Sequence, residues 1–203
     1  MAVPQGELKP DWALIAGRGT VLICEPNAAP PTRASLEAFA DDYTSLPSGF
    51  YPIGVTGDES LPEGESEGGE SEVLDLWEFP ASRSVETETP VDTLTIKPAQ
   101  FDNTSMSLYS GGGDATGTDI FWTPAQRVPT RAGICVVYID SIGRVVGRYR
   151  PKNDLIGQGG IVVNTDNWGE IPIVATRLSD AANPGGEASV SYTHLTLPTT
   201  PYV

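Results

Sequence analysis

The sequence predicts a mainly β protein: a β-sandwich or barrel-like domain with a flanking α-helix and a long acidic loop. Short segments rich in Val, Ile, Thr and aromatics recur between turn signals, the mark of an all-β domain. The chain carries 22 Gly and 18 Pro among 203 residues, which favours many turns over long helices. Hydrophobic residues make up 39%, enough for one sizeable core at this length.

In chain order, Arg18 to Cys24 forms the first expected strand, since Thr20, Val21, Leu22 and Ile23 favour extended backbone. Glu25-Pro26-Asn27 ends it, and Thr32 caps a short helix running through Phe39, with Leu36 and Phe39 on one face. A short strand, Phe50 to Val55, follows Pro47-Ser48-Gly49. The acidic, Gly-rich stretch from Gly57 to Gly69 reads as a solvated loop. Glu72 to Phe79 and Val85 to Ile96 alternate as strands, with Pro80-Ala81-Ser82 as the turn between them. Gln100 to Tyr109 is the strongest helix: Asp102 or Asn103 caps it, Phe101, Ser105, Leu108 and Tyr109 share a face, and Gly111-Gly112-Gly113 stops it. Strands are then expected at Thr118 to Thr123, Gly133 to Asp140, Gly143 to Arg150, Ile161 to Asn164 and Ile171 to Leu178, with Asp140-Ser141-Ile142-Gly143 as a hairpin turn. No repeat or interdomain linker interrupts the series, so residues 1–189 are expected to form one domain.

The last stretch, residues 190–203, has no charged side chain and is rich in Thr. It resembles the translation of a transposase sequencing adapter, and it is set aside from fold reasoning, with the natural C-terminus expected to be missing. The one histidine, His194, lies within it.

Composition narrows function. The formal net charge is −15, the opposite of a surface that grips phosphates or anionic lipid. No apolar stretch is long enough for a membrane-spanning helix. Without a histidine in residues 1–189, no Ser-His-Asp or Cys-His arrangement is available there. Cys24 and Cys135 sit in apolar strands and are expected to be reduced core thiols. Gly111 to Gly117 lacks the Gly-Lys-Ser/Thr of a phosphate loop and is expected to be a helix stop. The carboxylates at Asp58, Glu59, Glu63, Glu65, Glu67 and Glu70 lack calcium-loop spacing. Trp12, Trp77, Trp122 and Trp168 are scattered, as core or interface residues would be. No catalytic residue, cofactor or metal site is expected, and the chain is not read as an enzyme.

Several phrases together resemble a known family: Gly57-Asp58-Glu59-Ser60-Leu61-Pro62-Glu63-Gly64-Glu65-Ser66-Glu67-Gly68-Gly69-Glu70-Ser71-Glu72-Val73 with downstream Trp77, Glu86-Thr87-Glu88-Thr89-Pro90-Val91-Asp92, Gln100-Phe101-Asp102-Asn103-Thr104-Ser105-Met106-Ser107-Leu108-Tyr109, and the strand Ile134 to Asp140. In order and spacing they are similar to the major tail tube proteins of long-tailed bacteriophages of actinobacteria. The likeness runs from about Gly49 to Leu178, and the N-terminal segment does not match.

The resemblance implies a structural virion protein of β-sandwich fold. Copies close into hexameric rings that stack around an acidic channel for DNA, which passes without specific binding. The implied partners are further copies of the chain and the phage tape-measure, tail-tip and terminator proteins. Assembly would take place in the host cytoplasm, away from any membrane. By position, Asp58, Glu59, Glu63, Glu65, Glu67 and Glu70 would form the ring-stacking loop. Arg144, Arg148, Arg150 and Lys152, the densest basic cluster, are the expected partners on the next ring. Two other readings remain. One is a tail terminator or baseplate ring of the same fold; the other is a monomeric β-sandwich surface-binding module, which would expose a row of aromatics.

Overall fold

A computed structural model describes residues 16–57, 62–74, 83–86, 90–116, 120–163, 165–179 and 188–192. The elements are β1 (Ala16–Cys24), α1 (Arg33–Asp41), β2 (Phe50–Pro52), β3 (Glu63–Glu67), β4 (Ser71–Leu74), β5 (Arg83–Glu86), β6 (Val91–Ile96) and α2 (Asn103–Ser110). The series continues with β7 (Asp114–Thr116), β8 (Ile120–Trp122), β9 (Thr130–Asp140), β10 (Val145–Gly157), β11 (Ile173–Arg177) and β12 (Ala188–Tyr192).

An antiparallel sheet runs in the order β2-β1-β9-β10-β11-β6-β3, with β12 also paired to β10. Two small hairpins, β4-β5 and β7-β8, stand apart from it. The central strands are apolar on both faces because both faces are covered. On β9, Ala132, Ile134 and Val136 join Val21, Leu94, Ile96, Leu155 and Ile173 in one core, which Leu108 of α2 also enters. The alternate residues Cys135, Val137 and Ile139 join Leu22, Cys24, Val145 and Tyr149 in a second core, closed by Leu36, Phe39 and Ala40 of α1. This explains why β9 reads as a continuous hydrophobic run instead of an alternating one.

The sheet curls. Pro62, at the head of β3, lines the same small cleft as Gly19 to Val21 of β1 and Val136 to Tyr138 of β9. A Cβ at Gly64 of β3 would lie 3.8 Å from Nη2 of Arg150 on β10, although β11 and β6 separate these strands in sheet order. The barrel-like expectation is thus met by a curved sheet that brings its β3 end back toward its middle.

Both helices form where their caps require. The Thr32 hydroxyl accepts from the Ser35 N–H at the start of α1. The Asp102 carboxylate accepts from the Ser105 N–H at the start of α2, and Gly111 ends α2 in the left-handed region at φ 67°. Phe101 lies outside α2 and is exposed, so it is not part of the helix's buried face.

Other expectations are corrected. The stretch Gly57 to Gly69 is not a loop throughout, since Glu63–Glu67 pair with β6. Val85 to Ile96 is two strands, β5 and β6, in different sheets. The β4-β5 register, Ser71 with Glu86 to Leu74 with Arg83, makes an antiparallel pair whose expected turn at Pro80 to Ser82 lies outside the described residues. The strand expected to end at Arg150 continues to Gly157, because a register shift between Arg150 and Asn153 accommodates Pro151 within β10. Phe50 to Val55 pairs as a strand over Phe50–Pro52, and the described part of the expected strand Ile161 to Asn164 contributes a bridge between Val162 and Glu170, with Asn164 outside the described residues. Separately from these corrections, Val190 to Tyr192, the first residues of the adapter-like stretch, lie in β12. That strand fills the part of the β10 edge that β11 leaves open, from Val145 to Tyr149.

Candidate functional site

The acidic segment occupies an end of the sheet. Glu63, Glu65 and Glu67 lie on β3, whose residues are all exposed, and Glu70 follows it, also exposed. Asp58 and Glu59 lie outside the described residues. β3 is the last strand in the sheet order, so its far backbone edge has no partner strand among the described residues. Gly68 and Gly69, at φ 83° and 74°, turn the chain away from β3 toward β4.

The four basic residues do not share one surface. Arg144 donates through Nε and Nη2 to the Asp140 carboxylate across the β9-β10 turn, and this pair is largely buried. Those bonds from Arg144, aided by Ser141, hold the Asp140 carboxyl below its usual range. Arg150 is only 6% exposed and reaches toward β3 of its own subunit. Arg148 is exposed and Lys152 half-buried, so these two remain at the surface. Both cysteines are free and buried within the α1-side core. Burial pushes the Cys135 thiol up to about 12 and raises Cys24 as well, which makes both poor nucleophiles at neutral pH.

A second surface was not singled out by sequence reasoning. Thr56 bridges Pro98, the Ala99 N–H donates to Val55 O at 2.7 Å, and the Ile171 N–H donates to Pro98 O at 3.0 Å. These bonds set side by side the walls of an open groove of about 490 Å³, lined by Val55, Thr56, Gly57, Ala99, Gln100 and Trp168. Trp168 is 74% exposed and Val55 67%. Phe101 packs against Gly169 beside the groove, and a Cβ at Gly169 would come within 2.9 Å of its ring. Elsewhere, β8 puts Phe121 beside α2 and its alternate residues, Ile120 and Trp122, into solvent. The only signal available in the sequence was the presence of tryptophans in weakly patterned stretches.

A model of the family described as phage tail tube protein matches residues 7–187. The chain belongs to the phage tail tube protein family. It is 30% identical over 171 residues to the major tail protein Gp23 of Mycobacterium phage D29, covering 83% of this chain and 85% of the relative. Its likeness to the major tail protein Gp23 of Mycobacterium phage L5 is also 30%, over 172 residues, with the same coverage. This tail tube family protein is therefore a structural subunit of the phage tail, from a family of structural proteins and not of enzymes. A tube is built from repeated copies, so self-assembly follows from the family.

Proposed function

We propose that the chain is a major tail tube subunit that closes into hexameric rings, which stack around an acidic bore through which DNA passes without binding. The observation that carries this reading is β3: an exposed strand of sequence Glu-Gly-Glu-Ser-Glu at the end of the sheet. An open strand edge is a template for pairing, yet its glutamates repel a second β3. The contact is therefore heterologous, one surface meeting a different surface of the next copy, which is the arrangement that builds rings and filaments.

Glu63, Glu65, Glu67 and Glu70 supply the acidic side of the contact between rings. Arg148 and Lys152 supply the basic side, since both reach the surface, whereas Arg150 is buried and Arg144 is largely buried against Asp140. The net charge of −15 per copy gives the assembled wall a field that repels phosphates over about 8 Å at physiological salt. DNA gains nothing from counterion release on such a surface and slides past it. The tape-measure, tail-tip and terminator proteins complete the set of partners, and assembly takes place in the host cytoplasm.

Charge reversal tests the contact. Glu63→Lys with Glu65→Lys and Glu67→Lys, or Arg148→Glu with Lys152→Glu, is expected to shorten or abolish tubes seen by electron microscopy. Combining both sets restores them. Tubes of parental length from every variant would refute the charge contact.

A further inference from the structure

We infer that the groove beside Trp168 is a socket for the β7-β8 hairpin of a neighbouring copy, with Trp122 and Ile120 as the inserted residues. The inference rests on the tail tube reading, which makes the partner a second copy of this chain and the contact heterologous. Such a contact requires a recess and a projection at different places on one subunit. The groove is the recess: about 490 Å³, with Val55, Ala99 and Trp168 on its walls. The projection is β8, which presents Ile120 at 55% and Trp122 at 63% exposure on one face.

The hairpin itself supports this assignment. Among the described residues its two strands pair over three residue pairs, Asp114 with Trp122 to Thr116 with Ile120, and join no larger sheet. A two-stranded unit of that size is marginal in water and gains from a covering surface. Phe121 faces a recess that α2 also lines, so the opposite face of β8, with an indole and a branched aliphatic side chain, is left for an outside partner. Tryptophans that fill apolar pockets dominate the energetics of protein interfaces. Lys97, just after β6, and Glu170, ahead of β11, pair at 3.6 Å and are not among the residues that line the groove.

Cysteine cross-linking tests the contact directly. Cys24 and Cys135 are buried, so thiols introduced at the surface are the reactive ones. A chain that keeps both indoles and carries Gln100→Cys in the groove and Thr123→Cys beside Trp122, both exposed positions, is expected after assembly and mild oxidation to give a ladder of covalent oligomers that neither single variant gives. In a parallel experiment, Trp168→Glu alone lowers apparent association about tenfold or more, as loss of a central tryptophan does. Adding Trp122→Lys to the same chain restores association, and thermal melting of the unassembled protein stays unchanged because both indoles are mostly exposed. Tubes that form without a ladder, and with Trp168→Glu assembling like the parent, overturn the socket and leave the tube reading standing. A parent chain that makes no ring or tube overturns both.

Discussion

At the scale of single residues, Asp140 is the most informative group. Its carboxylate accepts from Arg144 and from both the N–H and the hydroxyl of Ser141, so its folded pKa lies below the unfolded value. A depressed carboxylate pKa contributes stability that is present above the unfolded value, near pH 4, and is lost as pH falls through the folded one. Asp140→Asn is therefore expected to melt below the parent at pH 7, with the gap closing as the pH is lowered toward 3; thermal melts by circular dichroism at several pH values check this. The sequence places Asp140 in a turn and Arg144 in a basic cluster, but their pairing depends on which side chains the hairpin brings to the same side. Arg150 was equally illegible, because its burial follows from the curl of the sheet and the irregularity at Pro151, neither of which has a local signature.

At the scale of elements, capping and close packing compete in size. Asp102→Ala removes the cap of α2 and is expected to cost about 1 kcal/mol. Gly157→Ala is the harsher change. Its Cβ would lie 2.2 Å from Cδ2 of Tyr109 and 2.5 Å from that residue's backbone oxygen, so α2 and β10 must separate, at a cost of about 1–3 kcal/mol. Urea unfolding of the two variants, with the Gly157 variant the less stable, checks the order. The helices were legible because Thr32, Asp102 and Gly111 are chemical signals at fixed positions. β3 was not, because Glu-Gly-Glu-Ser-Glu has poor intrinsic strand preference and is held by its pairing with β6. The apolar groove escaped for the same reason: its walls come from three separate segments that only backbone bridges bring together.

At the scale of the whole molecule, three features fit a subunit that is complete only among its copies. One end of the sheet is an exposed acidic strand, a small hairpin holds large apolar side chains in water, and a groove with apolar residues on its walls opens beside Trp168. The mainly β character was legible from composition and turn spacing, and the family from the order of several short phrases; how copies meet is encoded in surfaces that exist only after folding. Negative-stain electron microscopy of the concentrated, purified chain, with and without phage tail tips as nuclei, tests the central claim most directly. The account predicts rings or hollow tubes; uniform monomers under both conditions would contradict it.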